Sequence, residues 1–115
     1  MDSRIDPLAM LGLRPGDAKM LRNPGGRVTD DALAALVLSV NLLGVERVLI
    51  VPHTRCAMTG TSETELRARI SRASGRDAFR ETFGAIEDQL AALRDDVTRV
   101  RSHPLVPDSV AVGGF

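Results

Sequence analysis

Tryptophan and tyrosine are missing from this chain, and phenylalanine occurs only at Phe79, Phe83 and Phe115. Proteins that grip single-stranded nucleic acid stack bases on aromatic side chains, and this sequence has no such platforms. A surplus of one charge is missing too, since Lys plus Arg and Asp plus Glu both number 15. That balance argues against nucleic acid as the main partner, which would call for a basic excess. A single cysteine, Cys56, cannot close an internal disulfide, so the fold does not depend on oxidation. No apolar run approaches the roughly 20 residues of a membrane-spanning helix. The first residues are charged and lack the apolar stretch of a signal peptide. With 115 residues the chain has the size of one domain, and the expectation is a single cytoplasmic domain with no membrane partner.

The segments that are present alternate between strand-like and helix-like. Asp6-Pro7 reads as a helix start, and Gly12 ends that short helix. Ala18–Leu21 reads as a short strand, followed by the breaker cluster Arg22-Asn23-Pro24-Gly25-Gly26. Thr29 caps the clearest helix, Thr29–Leu43, with Asp30 and Asp31 in its first turn. Its apolar stripe is Leu33, Leu36, Val37, Val40 and Leu43, and Gly44 stops it. Val45–Val51 is nearly continuous in apolar residues, as a buried strand should be. The order strand, helix, strand makes Thr29–Leu43 a right-handed parallel crossover. A helix starts at Ser62, Asp77–Phe83 is another candidate, and Ile86, Leu90, Leu93, Val97 and Val100 space out a long one to Arg101. Ser109–Gly114 reads as a last strand. The expected class is α/β: a mainly parallel sheet flanked by helices in one domain over residues 1–115.

The chemistry concentrates in His53-Thr54-Arg55-Cys56, just after the strand. Imidazole nitrogen and thiolate sulfur suit zinc, and a turn at a strand end can aim both at one ion. Two ligands alone do not make a site. A lone cysteine is more often a small buried hydrophobe, and a strand-end histidine is often only hydrogen-bonded. Asp2 and Arg4 could be a surface ion pair worth little. His103 reads as a surface residue before Pro104. Gly25-Gly26 lacks the spacing of a dinucleotide fingerprint and the Lys-Ser/Thr of a phosphate loop.

Taken together, the residues resemble a family. Met1-Asp2-Ser3-Arg4, Arg22-Asn23-Pro24-Gly25-Gly26, Thr29-Asp30-Asp31-Ala32-Leu33, His53-Thr54-Arg55-Cys56 and Leu105-Val106-Pro107-Asp108 stand in the order and spacing of the β-class carbonic anhydrases, in particular short bacterial members. That family carries C-x-D-x-R and H-x-x-C motifs. The resemblance covers essentially the whole chain. It departs in three places. The family's first zinc-ligand cysteine would fall immediately before Met1. The second motif usually runs Asp-Cys-Gly, where this chain has Arg55-Cys56-Ala57. The family's last core strand continues beyond Phe115. The chain therefore reads as a member trimmed at both ends.

The resemblance implies reversible hydration of carbon dioxide to bicarbonate by zinc hydroxide, with a homodimer or larger assembly. It assigns His53 and Cys56 as metal ligands, Asp2 as the acceptor that orients the zinc-bound water, and Arg4 as its partner. In some members the equivalent aspartate turns onto the metal, which admits an Asp2, His53 and Cys56 set. Asn23, Gly25 and Gly26 form the candidate substrate-binding segment. Without the upstream cysteine, zinc occupancy and activity are expected to be impaired. The alternatives are a non-catalytic relative that dimerises or binds anions, and a hydrolase of carbon disulfide or carbonyl sulfide.

Overall fold

A computed structural model describes residues 1–115. Its elements run α1 (Pro7–Leu11), a 3-10 turn (Pro24–Gly26), α2 (Asp30–Leu42), β1 (Arg47–Ile50), α3 (Glu63–Ser74), α4 (Gln89–Arg101) and β2 (Ala111–Gly114). β1 and β2 pair in parallel, with Val48 opposite Val112 and Ile50 opposite Gly114. A further parallel bridge joins Thr59 to Ile86.

Local chemistry sets the helix ends. The Asp6 carboxylate accepts from Leu8 and Ala9 N–H, and the Thr29 hydroxyl accepts from Ala32 N–H. Ser62 and Glu65 form a reciprocal capping box at α3. Asp88 accepts from Leu90 and Ala91 N–H at α4. Each bond satisfies an amide that the helix itself leaves without a partner.

The core is almost wholly β-branched: Val28, Val48, Ile50, Val100, Val106 and Val112 are buried together. Val48, Ile50 and Val112 lie on one sheet face, and α4 packs there through Val100, Leu93 and Val97. Gly114 permits the close approach, because a Cβ there would stand 2.9 Å from a Leu93 methyl. Leu33, Leu36, Val37 and Val40 of α2 pack against the same cluster, as their spacing predicts. The opposite face of β1 carries exposed Arg47 and Leu49.

Two expected elements are absent, and a third, α2, has another role. Ala18–Leu21 is not a strand: all four residues are exposed and residues 18–23 form no ladder. A strand needs a neighbour to accept its hydrogen bonds, and the sheet consists of β1 and β2 alone. It follows that α2 is not a crossover between two strands. The β1-to-β2 crossover runs through α3 and α4 instead. Asp77–Phe83 is not a helix either. Its leading amides go to side chains instead, with Ala78 N–H donating to Ser71 Oγ at 3.0 Å and Phe79 N–H to Asp77 Oδ1 at 2.9 Å. The Glu63 carboxylate takes the Phe83 and Ala85 N–H groups at 2.5 and 3.0 Å, which holds residues 83–85 in a loop against α3. The last helix starts at Gln89, and Ile86 belongs to the bridge with Thr59. No helix is long and apolar enough to cross a membrane.

One buried carboxylate ties the layers. Asp96 of α4 is 3% exposed. It accepts Arg27 Nε at 2.6 Å, Arg27 Nη2 at 3.1 Å and Val28 N–H at 3.1 Å. Arg99 donates to Val28 O at 2.7 Å, so both backbone groups of Val28 are held by α4.

Two predictions follow from these contacts. Asp96→Ala leaves the Val28 amide and a half-buried guanidinium without their acceptor, and should cost about 2–3 kcal/mol in a urea melt. Glu63 lies below its ordinary value of 4.5, first through the Ala85 and then the Phe83 amide. A depressed carboxylate stabilises the fold fully above that ordinary value and loses the contribution as pH falls through the lowered one. Glu63→Gln should therefore lower the melting temperature at pH 7, and the gap to the wild type should shrink at pH 3.

Candidate functional site

The site forms where β1 ends. After Ile50 the chain runs through Val51 and Pro52 into His53, at the carboxyl edge of the parallel pair, where α/β folds place their ligands. The His53 carbonyl accepts from Gln89 Nε2 at 2.9 Å, so the first turn of α4 holds this corner. His53 Nδ1 lies 2.9 Å from Thr54 O. A bond donated by Nδ1 leaves the lone pair on Nε2. Nε2 lies 3.9 Å from Asp2 Oδ2.

Asp2 is held by Arg4. The Arg4 Nε donates to both carboxylate oxygens at 2.9 and 3.1 Å, Nη2 donates to Oδ2 at 2.5 Å, and the Arg4 N–H donates to Oδ1 at 2.9 Å. The side-chain bonds from Arg4, then its backbone bond, hold the Asp2 carboxyl far below the usual carboxylate range. Asp2 is thus held as a carboxylate acceptor at neutral pH, half-buried against His53.

Cys56 is half-buried and lines an open hollow of about 500 Å³ with Thr59, Thr61, Glu65, Arg69 and Arg72. Its carbonyl accepts from the Thr59 hydroxyl at 2.9 Å and from the Thr59 N–H at 3.1 Å. Between the two sulfur and nitrogen donors, Arg55 sits at φ +57°. A left-handed backbone is costly for a long side chain, and here it makes the reversal between His53 and Cys56.

The loop Asn23–Gly26 is engaged in closing itself. Asn23 Nδ2 donates to Arg27 O at 2.6 Å. Gly25 has φ +73° and a Cβ there would meet the Ile86 methyl at 2.5 Å. A Cβ on Gly26 would come within 3.2 Å of Val51 O and 3.3 Å of Pro52 Cα. These glycines let the loop press against the backbone that delivers His53. His103 lies apart and accepts the Leu105 N–H at 3.3 Å.

The structure brings Asp2, Arg4 and His53 together, with Cys56 on the same loop as His53. No three His, Cys, Asp or Glu side chains lie close enough to hold a metal ion together. The Asp2 oxygens are already occupied by Arg4. A catalytic zinc site takes three protein ligands, so the donor set of this chain falls short of one. Two contributors escaped the sequence reading. Gln89 carries no signal beyond its place at a helix start, and Arg22, whose guanidinium donates to Asp2 O and Ile5 O, looked like part of a turn.

Comparison with known proteins bears on the fold and the family. The family described as carbonic anhydrase matches residues 1–113. Beta-carbonic anhydrase 1 of Mycobacterium tuberculosis is 31% identical over 117 residues, spanning 100% of this chain and 70% of that protein. A carbon disulfide hydrolase of Acidithiobacillus thiooxidans is 29% identical over 139 residues, spanning 100% of this chain and 64% of that protein. The crystal structure of the carbonic anhydrase of Streptococcus mutans superposes with a TM-score of 0.88 at 35% identity, covering 99% of this chain and 69% of that one. The parallel pair, the helical layers and the sequence together place this chain in the β-class carbonic anhydrase family.

Proposed function

We propose that the chain carries the water-orienting carboxylate and two metal donors of a centre for the reversible hydration of carbon dioxide to bicarbonate. The observation that supports this most is the Asp2 carboxylate, clamped by Arg4, standing 3.9 Å from His53 Nε2. A carboxylate fixed as an anion accepts a hydrogen bond from the attacking water and turns the water's lone pair towards the substrate carbon. Arg4 keeps it ionised and keeps it from rotating. His53 and Cys56 are the donors this chain offers a metal, and zinc is the metal such donors suit. With its donor set short of three, the 115-residue chain should hold zinc weakly and hydrate carbon dioxide slowly or not at all.

The test compares this chain with a version extended to carry a cysteine two positions ahead of Asp2. The extended form should bind one zinc per chain and gain stopped-flow hydration. Within it, Cys56→Ser and His53→Ala should abolish zinc binding. Asp2→Asn should keep zinc and lose rate by roughly 10²-fold, the scale of a misoriented reacting group. Full activity of the short form would refute the assignment of donors. Absence of zinc from both forms would favour a non-catalytic dimerising or anion-binding protein.

A second reading is supported by the similarity to a carbon disulfide hydrolase. Carbon disulfide and carbonyl sulfide are linear and open to the same attack by water. Sulfide release by the extended form at a rate above its hydration of carbon dioxide would select that reading.

A homodimer or larger assembly is also proposed. Leu42 is 73% exposed, Leu38 and Leu43 are 55% exposed, and both strands of the sheet have an open edge. A second copy would cover such apolar surface. Sedimentation at micromolar concentration should give at least a dimer, and a stable monomer would contradict it.

A further inference from the structure

We propose that Arg22 is the positioning residue of the site: its guanidinium fixes the turn that carries Asp2 and Arg4 and so sets the Asp2 carboxylate against His53. The proposal deepens the reading of Asp2 and His53 as parts of one centre and rests on it.

Asp2 and Arg4 bond chiefly to each other. The bonds from Arg4 to the Asp2 carboxylate and the Ile5 N–H to Asp2 O make the turn rigid within itself. None of them attaches it to the rest of the protein. Chain termini fray unless they are tied down. Besides the Met1 ammonium, which donates to Asn23 O at 3.0 Å, Arg22 supplies that attachment. Its Nη1 donates to Ile5 O at 3.1 Å and its Nη2 donates to Asp2 O. One planar group thus grips both ends of the turn, two and five residues along the chain.

Arg22 is itself well founded. It precedes Asn23, whose side chain closes the Pro24–Gly26 turn onto Arg27 O, and Arg27 is bound to buried Asp96. The anchor therefore leads back to α4, the same helix that holds the His53 carbonyl through Gln89. Asp2 and His53 are placed from one rigid element along two routes. Arg22 also forms no ion pair, although three arginine–carboxylate pairs exist elsewhere. Its donors are directed at carbonyls. A lysine, with one ammonium in place of a fork, cannot span both.

The test reads geometry without activity, so it separates from any failure of the hydration assay. His53 and His103 are the only histidines. Their ring proton signals are recorded by NMR on the 115-residue chain with zinc chelated, at one fixed pH of about 8.5, where free imidazoles are neutral. Asp2→Ala should shift the His53 signals and leave His103 in place. Arg22→Ala should shift the His53 signals to the same position, and the double variant should add nothing. Arg22→Lys should give a smaller shift, because one of two bonds survives. The Val100 and Val112 methyl signals should not move. His53 signals that stay at their wild-type position in Arg22→Ala overturn the proposal. So do core methyl signals that move with them, which would make Arg22 a residue of the fold, and so does an Arg22→Lys spectrum identical to wild type. If Asp2→Ala leaves His53 unmoved, the Asp2–His53 pairing fails first and the proposal falls with it.

Discussion

The carboxylate of Asp96 is the constraint on which the rest of this molecule depends. A carboxylate taken out of water must be paired and hydrogen-bonded, or burying it is prohibitively costly. Asp96 meets that demand with the Arg27 guanidinium and the Val28 amide, both from a segment remote in sequence. The loop ahead of α2 is thereby fastened to α4, and Val28 is carried into the valine core. Gly26 is then pressed against the backbone of Val51 and Pro52, whose next residue is His53. The position of the imidazole follows from a salt bridge that does not touch it.

The His53–Cys56 loop is held in the same way, by polar bonds from its surroundings. Gln89 fixes the His53 carbonyl, and Thr59 fixes the Cys56 carbonyl twice. Between them Arg55 adopts a left-handed backbone that a long side chain seldom takes. Strained residues persist where neighbours over-determine them, and they gather at functional sites. In the family this place is usually an aspartate, which tolerates that conformation better, so the substitution by Arg55 adds a local cost at the site.

The sequence made α2 legible because its stripe of Leu33, Leu36, Val37 and Val40 repeats at helical spacing and its cap is a threonine. β1 and β2 were legible as apolar runs, although each proved shorter than the run, since a strand extends only as far as its ladder. Ala18–Leu21 failed for that reason: propensity suggests a strand, but only a neighbour makes one. Asp77–Phe83 failed because side chains distant in sequence captured amides at its two ends, Ser71 that of Ala78 and Glu63 that of Phe83. Asp2, Arg4, His53 and Cys56 stood out through a motif resemblance, and the structure brings the first three together. Arg22 and Gln89 did not stand out. Both act on backbone carbonyls, and which carbonyl a side chain will meet is decided by tertiary packing that a local pattern does not encode.

The central claim is that His53 and Cys56 are this chain's metal donors and that Asp2 orients water instead of binding the ion. Zinc titration of the 115-residue chain beside its Asp2→Asn variant tests it most directly. The account predicts weak binding of equal strength in both, abolished by Cys56→Ser. Tight one-to-one binding that is lost in Asp2→Asn would contradict it, for it would make Asp2 a ligand.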